Sequence, residues 1–239
     1  MFIDKDSVVP LYCQLADLLR EQIKKGALKP DELIPSENEL LKNYQISRGT
    51  IREAMRILIR EGLIRRKRGV GTFVVKPKIE HETSGVVSFS RVMLDSGIRP
   101  SAQVLKLEYM PAPFHVAQAL QIPVKTTIVF LMRLRFANLE RLMIERSYYI
   151  NKVGDKLFDA DLTQSIYTYW QEKYHFHLDR SEKTLEVVPA SSLDAKLLEI
   201  PKGSPVVILR RLVFFDQDLP VEYAEDTYRA DRTIFKFHS

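Results

Sequence analysis

Residues 36–75 read SENELLKNYQISRGTIREAMRILIREGLIRRKRGVGTFVV, and their changing period decides the architecture of the N-terminal third. Ser36-Glu37-Asn38-Glu39 has capping-box spacing: the serine hydroxyl accepts from an otherwise orphan backbone N–H, and the carboxylate three residues on reaches back. The helix it opens is expected to run to about Tyr44. Gln45 and Ile46 leave room only for a tight turn before Ser47, a second good N-cap. Ile51, Ala54, Met55, Leu58 and Ile59 then recur at helical spacing until Gly62, which predicts a second well-bounded helix. From Leu63 the period changes. An apolar pair, the basic run Arg65-Arg66-Lys67-Arg68, Gly69-Val70-Gly71-Thr72 and the β-favouring Phe73-Val74-Val75 predict a hairpin with a basic, glycine-rich tip.

Upstream, Leu11, Leu15, Leu18, Leu19 and Ile23 keep helical spacing behind Pro10, with Gly26 at the expected C-terminal cap. Three short helices with a tight turn between the second and third, closed by a basic hairpin, make a winged helix-turn-helix. Arg48, Thr50 and Arg52 lie in the first turns of the third helix, opposite its apolar stripe, so this end can enter a major groove. Arginine forks onto guanine O6 and N7, and threonine meets the thymine methyl. Arg68, beside glycines that let backbone approach closely, can reach a minor groove or a phosphate. Taken singly these features have simpler accounts. An arginine pair is often a solvated face, and capping explains Ser36, although the same helix N-terminus can also hold a phosphate.

Charge supports the combined reading. The first 78 residues hold 16 Lys and Arg against 10 Asp and Glu, whereas the remaining 161 hold 20 against 21, so the excess positive charge lies in the first third. That asymmetry suggests one module facing a polyanion and another without that task. Cys13 is the single cysteine, which excludes an intrachain disulfide and a paired-cysteine zinc site. No apolar leader follows a basic start, and no run approaches the roughly 18 apolar residues of a membrane span. A cytoplasmic protein without a membrane partner is expected.

Residues 1–75 are therefore assigned to the DNA-binding domain, 76–84 to a polar linker and 85–239 to a second domain rich in strands. Strands are predicted over Val104–Met110, Thr126–Ala137, Leu142–Ile150, Leu178–Val188, Pro205–Phe215 and Leu219–Tyr228. Helices are predicted near Phe114–Leu120, Ser165–Tyr174 and Ser192–Leu198. An internal echo organises them. Ala117-x-x-Leu120-x-Ile122-Pro123, Val129 and Arg133-Leu134 recur 78 residues later as Ala195-x-x-Leu198-x-Ile200-Pro201, Val207 and Arg211-Leu212. Each copy continues into a strand carrying a glutamate and a tyrosine, Glu145 and Tyr149 in the first, Glu222 and Tyr228 in the second. Two helix-plus-hairpin units in one antiparallel sheet are implied, an α+β class overall. Within the first hairpin Phe130, Met132, Leu134 and Phe136 share the face expected to pack inward, and Leu131, Arg133 and Arg135 share the other. The paired guanidiniums suit a small anion. Solvent-facing arginines salt-bridged to Glu145 or Glu222 account for the spacing equally well.

The strings Leu33-Ile34-Pro35-Ser36-Glu37, Ser47-Arg48-Gly49-Thr50-Ile51-Arg52, Glu61-Gly62-Leu63-Ile64 and Gly69-Val70-Gly71-Thr72-Phe73-Val74 occur in order, and the segment 8–75 resembles the DNA-binding domain of the GntR family. The resemblance implies that Ser36, Glu37, Arg48, Thr50, Arg52, Arg68, Gly69, Gly71 and Thr72 lie at the DNA, and that a homodimer binds a palindromic operator. Ser88-Phe89-Ser90, Arg133-Leu134-Arg135, Ile144-Glu145-Arg146-Ser147-Tyr148, Ser165-Ile166-Tyr167, Pro220-Val221-Glu222-Tyr223 and Tyr228-Arg229-Ala230-Asp231-Arg232 make residues 84–236 similar to the UTRA effector domain of HutC-type members, a chorismate-lyase-like antiparallel sheet with helices. The pattern is closest to members that sense phosphorylated amino sugars. By that resemblance Ser90, Arg133, Arg135, Ser165 and Tyr167 surround a phosphate, Glu145, Glu222 and Tyr228 hold the sugar, and Phe89 lies against the ligand with its backbone N–H donating.

A repressor released by a small anionic metabolite, most simply a phosphorylated sugar, is the function these expectations compose. An activator sensing another phosphate or carboxylate fits the same residues. A lyase-like enzyme would have only Glu145 and Glu222 as acid or base. His175-x-His177 lacks a third metal ligand, and no GxSxG, Walker loop or HExxH is present. No catalytic residue, metal or cofactor is predicted.

Overall fold

Both halves of the capping box form: the Glu39 N–H donates to the Ser36 hydroxyl at 3.3 Å, and the Ser36 N–H donates to the Glu39 carboxylate at 2.7 Å. Ser47 likewise accepts from the Thr50 N–H at 3.1 Å. These caps set the starts of two of the three helices in the first unit, α1 (Leu11–Lys24), α2 (Glu37–Tyr44) and α3 (Arg48–Arg60). Gln45 turns the chain between α2 and α3 in the left-handed region, at φ 50°, which leaves Ile46 free to bury. The computed structural model describes residues 3–82, 85–86, 88–176, 178–215 and 219–237. It divides into two units, Met1–Pro77 and Lys78–Ser239.

In the first unit one face of each helix supplies the core. Leu15, Leu18 and Leu19 of α1, Leu40 of α2, and Ile51, Ala54, Met55 and Leu58 of α3 bury with Ile34, Ile46, Ile64 and Val74. Full burial of each large aliphatic side chain contributes about 1.5–3 kcal/mol, so this cluster is what holds three short helices together. Ile59, expected in the stripe, is 43% exposed because it lies at the stripe's edge. The hairpin is β1 (Ile64–Lys67) with β2 (Gly71–Val74), paired antiparallel from Ile64–Val74 to Lys67–Gly71. The segment before α2 adds a third edge, with Leu33 bridging Phe73 and the Ile34 N–H donating to the Thr72 carbonyl at 2.9 Å. Gly71 is required where the two meet: its φ is 144°, and a Cβ would stand 2.4 Å from Leu33 Cδ2.

The second unit opens with a departure from expectation. Residues 76–84, read as a linker, contain strand β3 (Ile79–Glu82), with Ile79 and His81 buried and Glu80 and Glu82 exposed. Four residues of alternation among charges are too short a signal to read, and the partner strand lies at the far end of the chain. Thr83 and Ser84, the end of that expected linker, lie outside the described residues. Then follow α4 (Phe89–Asp95), β4 (Pro100–Pro111), α5 (Phe114–Ala119), β5 (Thr127–Ala137), β6 (Glu140–Tyr149) and the short helical pair α6 (Asn151–Gly154) and Asp155–Asp159. The chain continues through α7 (Ile166–Tyr174), β7 (Leu178–Pro189), α8 (Ser192–Leu198), β8 (Pro205–Phe215), β9 (Leu219–Arg229) and β10 (Thr233–Lys236). Strand β10 pairs parallel to β3.

The six long strands form one antiparallel sheet in the order β4-β5-β6-β9-β8-β7. This is the expected duplication. The sequence β4-α5-β5-β6 recurs as β7-α8-β8-β9, and the two copies meet at β6 and β9, where Arg146 stands opposite Glu225 at the centre of an approximate two-fold. Glu145 faces Asp226 on one side of that centre, and Tyr149 faces Glu222 on the other.

Both faces of the sheet are covered. Helix α5 packs over Ile128, Tyr148, Leu212 and Tyr223, and α8 over Leu134, Ile144 and Val206. The opposite face meets two apolar clusters, one around Trp170 with Leu131, Tyr149 and Ile166, the other around Met93 with Ile79, Phe89, Met143 and Tyr228. Covering from both sides removes the alternative in which the arginine face of β5 meets solvent: Arg133 and Arg135 are 2% and 3% exposed.

Candidate functional site

The first unit gathers its cations at the start of α3 and on the hairpin. Arg48, Arg52, Arg66, Lys67 and Arg68 are all exposed. Arg48 donates to Asn38 Oδ1 at 3.3 Å, and Arg68 forms no ion pair among the described residues. The Thr50 hydroxyl lies 2.8 Å from that of Ser47. Gly69 adopts φ 76° at the hairpin tip. Thr72 sits half-buried on β2, and Ser36 spends its hydroxyl on Glu39.

Glu37 differs from the other residues expected at the DNA. One of its carboxylate oxygens accepts from Arg52 Nε at 3.2 Å, the other from Arg66 at 2.5 Å. Partial burial would raise this carboxyl, and the bonds from Arg52 and Arg66 outweigh it and hold it below the ordinary range. Arg66 was visible in the sequence only as part of a basic run. The pleat of β1 turns it toward α2.

In the second unit a pocket opens between the two apolar clusters, with about 660 Å³ of empty space, its mouth included. All nine residues expected around an effector line it: Phe89, Ser90, Arg133, Arg135, Glu145, Ser165, Tyr167, Glu222 and Tyr228. They come from five elements distant in sequence, so the sheet and its covering helices create the site. Arg133 grips Glu145 through Nη2 at 2.7 and 2.9 Å, and its other terminal nitrogen donates to the carbonyls of Leu162 and Gln164. Arg135 reaches the same carboxylate at 2.9 Å, donates to Ser90 Oγ at 2.9 Å and stacks 4.5 Å above the Phe89 ring. Burial would push the Glu145 carboxyl up, but two guanidiniums overcome it and bring the group to about 2.

The pocket also holds residues that the sequence reading did not select, chiefly His81, Tyr149, Arg211 and Asp226. Arg211 binds Asp226 at 2.9 Å and Tyr167 Oη at 2.7 Å, and lies 3.8 Å from Glu222. Glu222 in turn accepts from Ser147 at 2.9 Å and from Tyr167 at 2.6 Å. Burial first, and then the negative charges of Glu145 and Glu222, raise Asp226 to about 6 despite Arg211. Burial alone lowers His81 to about 4. The echo contained the signal for Arg211, which stands where Arg133 stands in the first copy. His81 carried no such signal.

Five buried polar atoms lining this pocket lack a hydrogen-bond partner among the described residues: His81 Nε2, Arg133 Nε, Arg135 Nε, Tyr149 Oη and Asp226 Oδ1. Buried polar groups are ordinarily satisfied, so this concentration marks a cavity shaped for a polar guest. Among the described residues no cluster of three or more His, Cys, Asp or Glu is placed to hold a metal, and no helix is long and apolar enough to cross a membrane. His177, the second of the alternating histidines, lies outside the described residues.

A winged helix-turn-helix joined in one chain to a sheet with a buried charged pocket defines a transcription regulator. Residues 11–74 match the bacterial regulatory proteins of the gntR family and residues 95–234 match the UTRA domain, and the chain belongs to the GntR family as a UTRA-bearing member. It is 33% identical to the HTH-type transcriptional repressor NagR of Bacillus subtilis (strain 168), over 98% of this chain and 97% of that protein. It is 27% identical to the mannosyl-D-glycerate transport/metabolism system repressor MngR of Escherichia coli (strain K12), over 93% and 92%. Among solved structures, PhnF from Mycobacterium smegmatis shares the fold, with a TM-score of 0.69 over 95% of this chain and 98% of that one at 22% identity. The N-terminal unit is thus a DNA-binding module and the protein a transcription regulator.

Proposed function

We propose that the protein is a cytoplasmic repressor that binds a palindromic operator as a homodimer and is released by a phosphorylated sugar, an amino sugar by preference. The observation that carries the effector class is the uneven charge of the pocket. Its six most buried charged groups divide into Arg133 and Arg135 against Glu145, and Arg211 against Glu222 and Asp226. Among these six, one pole holds two guanidiniums to one carboxylate and the other two carboxylates to one guanidinium, with Lys183, half-buried across from Arg211, also lining the second pole. A ligand with an anion at one end and hydroxyl or ammonium donors at the other matches both. Guanidinium suits phosphate by geometry and charge, and Asp226 Oδ1 awaits a donor. MngR, a relative named for a sugar joined to a carboxylate, supports a bipolar effector.

At the DNA, Arg48, Thr50 and Arg52 read base edges in the major groove, while Arg68 with Gly69, Gly71 and Thr72 brings the hairpin to the backbone or minor groove. Ser36 lies at the helix end facing the phosphates. Effector and operator oppose each other, and linkage makes the opposition reciprocal: the factor by which effector weakens DNA binding is the factor by which DNA weakens effector binding.

The test uses the full chain and a duplex selected by the protein itself from a random pool. Glucosamine 6-phosphate, glucose 6-phosphate and unphosphorylated glucosamine are compared by thermal shift and by release of that duplex. The phosphorylated amino sugar is expected to raise the melting midpoint most and to release the duplex. If no sugar phosphate stabilises the protein beyond its parent sugar, or if none weakens DNA binding, the effector assignment is wrong.

A further inference from the structure

A carboxylate in the middle of a surface that must meet phosphates is a cost to DNA affinity, and Glu37 sits there between the groove-reading helix and the hairpin. It is the first residue of α2, its side chain is 22% exposed, and it bonds Arg52 of α3 and Arg66 of β1 at once. Neither bond is needed for the capping box, which uses Ser36 and Glu39. The atoms chosen matter. Arg52 donates to Glu37 through Nε, so neither terminal nitrogen of its guanidinium is spent on that bond. A guanidinium anchored at Nε is a fork with both prongs free, the geometry that reads guanine O6 and N7. Arg66 is held by a terminal nitrogen, so its charge is partly neutralised before any phosphate arrives.

We propose that Glu37 is a specificity-determining positioning residue of the DNA interface, orienting Arg52 as a fork while withholding Arg66 from non-specific contact with phosphates. The inference rests on the reading in which α3 enters the major groove. Glu37 itself need not touch DNA; its carboxylate trades affinity for any duplex against preference for one. Ordering a long side chain in advance also removes entropy that would otherwise be lost on binding, and this gain accrues only where Arg52 meets its matching base.

The experiment compares full-length wild type, Glu37→Gln and Glu37→Ala on the duplex selected by wild type and on a scrambled duplex of equal length and composition, across a salt series. Both variants are expected to lower the ratio of selected to scrambled affinity by about tenfold, which corresponds to about 1.4 kcal/mol. On scrambled DNA they are expected to bind as tightly as wild type or tighter, with a log–log salt slope steeper by about 0.9, one more phosphate neutralised. In an Arg52→Ala, Arg66→Ala background, Glu37→Gln is expected to change the ratio no further. A merely structural role would weaken both duplexes equally. An equal loss, a ratio within twofold of wild type, or an effect undiminished in the double-arginine background overturns the proposal. If wild type selects no preferred duplex, the groove reading itself fails, and that result is distinct because it appears before any variant is made.

Discussion

Replacing Glu145 by Gln removes one negative charge from between two buried guanidiniums and leaves the side chain's volume intact. In the wild type its two oxygens accept three hydrogen bonds, two from Arg133 and one from Arg135. The variant presents an amide N–H₂ to one of those donors and leaves two buried cations uncompensated. Removing one partner of a buried ion pair costs about 3–5 kcal/mol, and each kcal/mol moves the melting midpoint of a domain this size by about 2–4 °C. The midpoint is therefore expected to fall by about 6–20 °C. Trp170 is the only tryptophan of the chain and packs edge-on against Tyr149 in the wall of the pocket, so its fluorescence follows this unit alone. Inorganic phosphate should then rescue the variant more than it stabilises wild type, because the anion replaces the missing charge as well as binding; a ligand at 100 times its Kd contributes about 2.7 kcal/mol from binding alone. Acid supplies an independent check. The folded carboxyl is held at about 2 against an ordinary 4.5. Its stabilisation is complete above about pH 4.5 and is lost as pH falls toward 2. The gap between wild type and variant should narrow over that range. A variant melting within 2 °C of wild type, or gaining no more than wild type from phosphate, refutes the reasoning.

Other substitutions probe the same framework. His81, lowered to about 4, binds fewer protons folded than unfolded between pH 4 and 6.5, so it makes stability rise with pH there; Asp226, raised to about 6, makes stability fall between pH 3.8 and 6. Relative to wild type, His81→Phe should lose stability as pH rises through this window and Asp226→Asn should gain it, by roughly 1 kcal/mol per pH unit each, as read by urea melts at several pH values; parallel profiles for all three proteins would show that neither group titrates as described. Gly154→Ala places a Cβ 2.7 Å from Val129 Cβ, and the overpacking should cost about 1–3 kcal/mol in the second unit while leaving affinity for duplex DNA unchanged. Gly71→Ala, strained at φ 144° beside Leu33, should destabilise the hairpin by about 1–3 kcal/mol and weaken DNA binding, measured by anisotropy; retention of full affinity would remove the hairpin from the interface.

Much of this architecture was legible because its signals are local and repeated. The caps at Ser36 and Ser47 satisfy helix ends within four residues, and the 78-residue echo locates six elements from one comparison. What stayed hidden depends on contacts between distant segments. Strand β3 exists because β10 pairs with it, and no pattern within Ile79–Glu82 distinguishes it from a charged linker. Nor could alternation along β5 reveal whether its arginine face meets water or protein. That depended on α4 and α7 and the β3–β10 pair, which close over it. For the same reason the nine expected pocket residues could be named by resemblance, whereas His81 and Asp226 required coordinates.

Duplication also explains how a small sheet comes to hold so much buried charge. A two-fold through Arg146 and Glu225 brings Arg133 with Glu145, and Arg211 with Glu222 and Asp226, to one face, two cation–carboxylate groups from the two copies. Two identical halves would bind a ligand in either of two directions. The halves differ at the positions that carry charge. Val213 stands where the first copy has Arg135, Ala224 where it has Glu145, and Glu222 and Asp226 where it has Met143 and Ser147. The first change leaves the paired guanidiniums on one side of the axis only, and the last two put a pair of carboxylates on the other. The bipolar ligand proposed above would then be held one way round, because reversing it would set anion against Asp226 and donor against Arg135 in a cavity where little water screens either clash. Direction of binding, which a symmetric sheet cannot supply, would follow from these departures from the repeat.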